Sequence, residues 1–319
     1  MSRFDVFNGD ADGICALHQL RLAAPADSIL ITGVKRDITL LERVPAGAGD
    51  QVTVLDISLD RNRGALLELL ERGAEVHYFD HHFPGVIPTH PRFHPLIDPA
   101  PEVCTSLLVD RFLAGGQRIW AVVGAFGDNL YQAARRAAAP LGLEAAQLEA
   151  LQELGECLNY NAYGDDVDDL RFPPNVLYRL LHAYIDPFAF MAEEPAFRQL
   201  RQGYADDLAQ AEAVPPETAT LRHALYILPD AAWSRRISGA FGNRLAQQAP
   251  QRAHAVLTPS RRGGYAVSVR APLAAPTGAD ALCRGFESGG GRQAAAGINH
   301  LPAEQLETFA VRFRAAFGN

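Results

Sequence analysis

The sequence predicts an α/β protein: a parallel-sheet domain with a helical extension, followed by a smaller α+β C-terminal domain. Three observations carry that expectation. In the first hundred residues short apolar runs alternate with helical stretches of 9–12 residues, the pattern of βαβ units and a parallel sheet. Residues 140–215 are then largely helical, with breaks at Asn159 to Asp166 and at Pro173-Pro174. After Pro215-Pro216, strand-like runs return between two further helices. The expected division is therefore residues 1–215 and residues 216–319, with the proline pair as hinge.

The elements follow in order. Phe4 to Phe7 is strand-like, and Ile14 to Leu22 is the helix that follows Gly13. Ser28 to Gly33, Gln51 to Asp56 and Ala74 to Asp80 are further strands, with an amphipathic helix over Arg61 to Arg72 between the last two. Val103 to Ala114 is helical, and Ile119 to Phe126 is an apolar run that ends at Gly127-Asp128-Asn129. In the second module Ala224 to Leu228, Ala253 to Leu257 and Tyr265 to Arg270 are strand candidates, and Ser234 to Gln248 and Ala303 to Phe317 are helices.

At 319 residues and 48% apolar, the chain is long enough for two buried cores. No apolar run approaches the 18 residues of a membrane span, and Met1 to Asp5 lacks a charged-then-apolar leader, so a cytoplasmic protein is expected. Cys15, Cys104, Cys157 and Cys283 are scattered without a CxxC pair, which argues against a zinc knuckle or a disulfide framework. The net charge of −8 is unevenly spread: residues 221–319 carry +7 and residues 1–220 carry −15. An acidic part suited to cations joined to a basic part suited to phosphates fits a phosphorylated substrate. The alternative is the surface composition of an arginine-rich chain in which Lys35 is the sole lysine.

Chemistry concentrates where strands end, the edge at which open α/β sheets bind ligands. Asp80-His81-His82 closes one strand, Asp56 closes another, and Asn8-Gly9-Asp10-Ala11-Asp12-Gly13 follows the first. A lone Asp-His-His run is as readily a solvated turn, but acids and imidazoles at three strand ends make a constellation.

Asp10-Ala11-Asp12-Gly13, Asp56, Asp80-His81-His82 and Gly127-Asp128 stand in the order of the four motifs of the DHH phosphoesterase superfamily, which the chain resembles over nearly its whole length. Tyr265 to Arg270 and the run Gly289-Gly290-Gly291-Arg292 through Gly297 are similar to the associated C-terminal substrate domain of RecJ-like exonucleases and oligoribonuclease/pAp phosphatases. The resemblance implies a metal-dependent phosphoesterase for a small nucleotide or a short single-stranded oligonucleotide, using two Mn2+ ions, with Mg2+ as the substitute. It implies Asn8, Asp10, Asp12, Asp56, His81 and Asp128 as metal ligands, with Asp56 bridging. Asp80, His81 and His82 are the implied catalytic residues, Asp80 and His82 orienting ligands or holding the leaving group. Ser268, Gly289, Gly290, Gly291, Arg270 and Arg292 are implied to bind substrate. No membrane partner is implied, and a homodimer is left open.

Two residues depart from the pattern. Asn8 stands where an aspartate is usual, which removes a charge from the first ion's ligands. Arg292 stands where the glycine motif usually continues with His, replacing a proton donor by a fixed cation that binds phosphate bidentately. These departures motivate the competing expectation, a catalytically weakened nucleotide-binding or regulatory protein of the same family. The glycine run is a flexible turn or, with the small residues that follow it, an anion nest. Asn159-Tyr160-Asn161 either faces the metal site or caps its helix. His18, His77, His90, His94, His182, His223, His254 and His300 are read as surface or satisfied interior histidines.

Overall fold

The computed structural model describes residues 1–318. Packing divides them into two units, Met1–Ala162 with Asp166–Arg201, and Tyr163–Asp165 with Gln202 onward.

The first unit holds five strands: β1 (Arg3–Asn8), β2 (Ile29–Gly33), β3 (Gln51–Leu55), β4 (Glu75–Asp80) and β5 (Phe93–Ile97). They form one wholly parallel sheet in the order β2-β1-β3-β4-β5. Helices α1 (Ala11–Ala23) and α2 (Leu59–Glu71) connect strands. After β5 come α3 (Thr105–Phe112), α4 (Arg118–Gly127), α5 (Tyr131–Ala138), α6 (Ala145–Tyr160), α7 (Pro174–His182), α8 (Pro187–Glu193) and α9 (Pro195–Glu212), the last containing the division between units.

Both sheet faces are buried, as βαβ crossovers require. Phe7, Leu55 and Phe79 pack with Ile14, Leu17, Trp120, Phe126 and Leu158 on one face. Val6, Val54 and Tyr78 pack with Leu66, Leu69 and Leu70 of α2 on the other. The run Ile119 to Phe126 is helical, and every residue from Trp120 to Gly127 is buried because α1 and α6 both lie against it. A helix enclosed on all sides has no polar stripe, so periodicity leaves its type open. Strand β5 is absent from the expected set: it is an edge strand interrupted by Pro95, tolerable only where no neighbour needs its N–H.

The second unit is a six-stranded sheet, β6 (Thr218–Ala219), β7 (His223–Ile227), β8 (Ala253–Pro259), β9 (Tyr265–Arg270), β10 (Gly289–Gly291) and β11 (Ala295–Leu301). Its order is β10-β11-β9-β8-β7-β6, antiparallel except between β7 and β8. Helices α10 (Ala232–Gln248), α11 (Ala279–Arg284) and α12 (Leu306–Phe317) complete it, and Phe309 and Phe313 close a core over Leu225, Val267 and Ile298.

The glycine run is neither a flexible turn nor a nest. Gly289 to Gly291 is the edge strand β10, paired antiparallel with Ala296 to Ile298. A Cβ at Gly289 would lie 1.7 Å from the Cys283 carbonyl oxygen, and one at Gly291, where φ is 135°, would lie 2.5 Å from the Ala296 Cα. Close approach of the chain to itself therefore explains both glycines. All four cysteines are buried and free, and no helix among the described residues is long and apolar enough to cross a membrane.

Candidate metal centre

The C-terminal ends of β1, β3 and β4 and the starts of α1, α2 and α3 meet at one place, so the acids there sit against unpaired helix N–H groups and their positive dipole ends. Asp10 is the N-cap of α1, and its Oδ1 accepts from the Asp12 and Gly13 amides, each at 3.0 Å. The first motif is therefore a helix N-terminus rather than an open loop. Gly13 is needed there because a Cβ would stand 2.2 Å from the Asn8 carbonyl oxygen. Asp12, in the first turn of α1, reaches across to α3: its two oxygens accept from the Thr105 and Ser106 amides at 2.7 Å. Asp80 is completely buried, and its Oδ1 accepts from the His81 and His82 amides at 2.9 and 3.2 Å. The same oxygen lies 2.7 Å from His82 Nδ1 and fixes that ring.

Asp56 follows β3 with φ of 58°, the left-handed region that a non-glycine residue enters at a cost of about 1–2 kcal/mol. Its Oδ1 is 3.3 Å from His81 Nε2 and 3.9 Å from His82 Nδ1, and it accepts from the Thr105 hydroxyl at 3.3 Å. Asp56, His81 and His82 each present a ligand atom within 4.8 Å of the others. Asp12 Oδ2 is 4.0 Å from His81 Nε2. Asp128, which caps the C-terminus of α4, keeps a buried Oδ2 with no hydrogen-bond partner among the described residues. Gly127 allows this: a Cβ there would lie 2.2 Å from that of Ala11.

Too much negative charge is buried here for the side chains alone to balance. Burial and the neighbouring Asp10 and Asp12 carboxylates push Asp56 well above the usual carboxylate range. Burial would lower His81, but Asp56, Asp128 and Asp12 outweigh it and raise the imidazole to about 10. Burial likewise raises Asp12, partly offset by His81, while Asp128 and Asp10 add to the rise. Asp10 is the exception: burial raises it, yet the Lys35 ammonium holds it below its ordinary value. Mixed carboxylate and imidazole donors around an orphaned carboxylate oxygen fit a divalent transition ion better than they fit one another.

The site thus brings together Asn8, Asp10, Asp12, Asp56, Asp80, His81, His82 and Asp128. Asn8 is turned to the backbone, with Oδ1 accepting from the Asp10 amide at 3.2 Å and Nδ2 donating to the Lys35 carbonyl at 3.3 Å. Sequence reasoning missed Lys35 and the Thr105 and Ser106 amides. The uniqueness of Lys35 was the available signal. Asn159 faces the site and accepts from Lys35 Nζ at 3.1 Å, whereas Asn161 holds Arg171 and Phe172 through their amides. His18 lies elsewhere, buried edge-on to Trp120 and 2.9 Å from His182 Nδ1; burial and then His182 lower it to about 3.

The second unit carries the other expected residues. Ser268 and Arg270 lie on β9, and Arg270 donates to Asn243 Oδ1 at 2.6 Å, Ser268 Oγ at 2.9 Å and the Gly239 carbonyl at 3.2 Å. Arg292 is exposed in the turn between β10 and β11.

No family model and no curated protein matches the sequence. Solved structures do. The exonuclease RecJ bound to manganese is 20% identical with a TM-score of 0.63, covering 98% of this chain and 89% of that one. RecJ of Thermus thermophilus in complex with Mn2+ is 19% identical with a TM-score of 0.58, and this chain spans 51% of it. The DHH domain of a member of the s1p family of ribosomal proteins matches 98% of this chain and 86% of its own at 13% identity and a TM-score of 0.63. A pGpG-specific phosphodiesterase from Vibrio cholerae is 13% identical with a TM-score of 0.53, covering 98% of both chains. The chain shares the fold of these structures, a DHH domain among them.

Proposed function

We propose that this protein is a metal-dependent phosphoesterase acting on a small nucleotide or a short single-stranded oligonucleotide. The observation that carries the reading is the buried cluster Asp12, Asp56, His81 and Asp128, with a carboxylate oxygen unpartnered among the described residues, at the ligand-binding edge of a parallel sheet. A divalent ion held there would act as a Lewis acid on a phosphoryl oxygen and lower the pKa of bound water. Asp56, His81 and Asp128 would hold it. Asp12 ties α3 to the site, and Asp80 holds His82 at the rim, where that ring would orient or protonate a departing oxygen. Imidazole donors favour Mn2+ over Mg2+. Residues 1–215 would supply the metal chemistry, and residues 216–319 the substrate contacts through Ser268, Arg270, Arg292 and the backbone of Gly289 to Gly291. Shared fold with a manganese-bound exonuclease and a pGpG-specific phosphodiesterase supports the substrate class.

A second reading, a nucleotide-binding protein weak in catalysis, is favoured by one observation: Lys35 Nζ stands 2.5 Å from Asp10 Oδ2. Turnover of bis-p-nitrophenyl phosphate and of a dinucleotide series, with Mn2+, Mg2+ and chelator, separates the two. Mn2+-dependent hydrolysis of dinucleotides is expected. Binding without turnover under every metal would overturn the enzymatic reading.

A further inference from the structure

We propose that the Lys35 ammonium is a built-in cation of this centre, and that the centre therefore takes one divalent ion rather than a pair. The proposal rests on the reading of the cluster as a metal site and specifies its occupancy.

Lys35 is the sole lysine among 319 residues, and it is placed among the acids rather than on an open surface. Its Nζ lies 2.5 Å from Asp10 Oδ2, 3.1 Å from Asn159 Oδ1 and 3.8 Å from Asp128 Oδ1. Its backbone is pinned on both sides: the N–H donates to the Ala162 carbonyl at 2.9 Å, and the carbonyl accepts from Asn8 Nδ2 at 3.3 Å.

The donors decide the occupancy. Asp10 commits Oδ1 to two helix amides, and an ion at its Oδ2 would have to share that oxygen with the ammonium. What remains is the set of Asp56, His81 and the orphaned Asp128 Oδ2, with the second lone pairs of Asp12. That set suits one ion. An ammonium held between Asp10 and Asp128 also repels a second dication at those carboxylates, in a partly buried place where like charges are poorly screened.

Asn8 fits the same design. Its amide nitrogen satisfies the backbone carbonyl of residue 35, a bond that a carboxylate could not make, so the amide helps to pin the segment that carries the ammonium. A lysine cation differs from an ion in two ways: no chelator removes it, and it brings no activated water. This half of the centre would then offer a fixed charge to a bound phosphate, and a bound ion would supply the activated water.

The test counts Mn2+ per chain by native mass spectrometry and records the Mn2+ electron paramagnetic resonance spectrum of wild type, Lys35→Arg and Lys35→Met. Wild type and Lys35→Arg should bind one ion with the six-line spectrum of an isolated Mn2+. Lys35→Met should bind a second and show an exchange-coupled spectrum. Two ions in wild type, or one ion in all three proteins, would overturn the proposal while leaving the metal site standing. No bound Mn2+ in wild type would overturn the metal reading together with it. Should Lys35→Met fail to fold, the wild-type and Lys35→Arg counts still decide between one ion and two.

Discussion

Strand β4 carries a histidine and acid cluster at each end, and the two differ in everything except donor count. At its C-terminal end Asp56, His81 and His82 lie within 4.8 Å of one another; at its N-terminal end Glu75 and His77 do the same with His94 of the neighbouring β5. The sequence reading leaves His77 and His94 without company, but the parallel register pairs them, and their rings stack at 4.6 Å between centroids. The outer cluster is largely solvated: His94 and Glu75, 3.1 Å apart, are each more than two-fifths exposed at the side chain. Burial lowers His77, and His94 lowers it further. Water can screen the charges there. At the inner cluster, buried carboxylates accumulate faster than cations, helix amides hold them in place, and one oxygen has no partner among the described residues. Three donors within reach therefore do not define a centre; buried charge that only an added cation can balance does.

Removal of the inner donors should have the largest effect. Asp56→Ala and His81→Ala should each lower Mn2+ affinity by about 100-fold or more and abolish measurable turnover, while the circular dichroism spectrum stays native, since both side chains lie past strand ends rather than in the core. Calorimetric titration with Mn2+ and an assay at saturating Mn2+ check it, and near-wild-type activity would disqualify the site.

Next in size is the pH response of the metal-free protein. His81 has a folded-state pKa raised to about 10 from an ordinary 6.5, so its stabilising proton is fully present below pH 6.5 and is lost as pH rises towards 10. Stability should therefore decline across that window, and His81→Gln should flatten the decline. Because a ligating imidazole must be neutral and a ligating carboxylate ionised, Mn2+ binding near pH 7 should release at least one proton, measurable by calorimetry in buffers of different ionisation enthalpy. No proton release would remove His81 from the ligands.

A smaller effect is expected in the second unit. Arg292→Ala should raise KM several-fold with kcat and Tm unchanged, the signature of uniform substrate binding. Arg270→Ala should also lower stability, by about 1–3 kcal/mol, because its guanidinium satisfies Asn243, Ser268 and Gly239. A pure kcat defect in Arg292→Ala would instead place that residue against the transferring phosphoryl group.

The least effect belongs to the outer cluster. Glu75→Ala and His94→Ala should change turnover less than about 2-fold and stability within about 0.5 kcal/mol, as for other surface substitutions. A large loss of activity in either would mean that exposure is a poor guide to which cluster works.

The βαβ character of the first unit, its strand-end acids and imidazoles, and the resemblance that ordered them were all legible before any folding, because short apolar runs alternating with helices and ligand residues at strand ends are local properties of the chain. Local pattern was silent on α4, whose helix is buried on every side, and on β5, whose Pro95 hides a strand at the sheet edge. It suggested a nest at Gly289 to Gly291, where the neighbours that need those glycines are Cys283 and Ala296 of the chain itself. Which acids remain free is a matter of three-dimensional packing alone. Asp10, Asp12 and Asp80 carry the same residue type as Asp56 and Asp128, yet their oxygens already accept from helix amides, from His82 and from a lysine 25 residues distant in sequence from Asp10. The lone pairs left over depend on which helix starts and which cation the fold delivers to the same few ångströms, and those partners come from α1, the segment after β2, the segment after β4 and α3, elements that no local pattern places together.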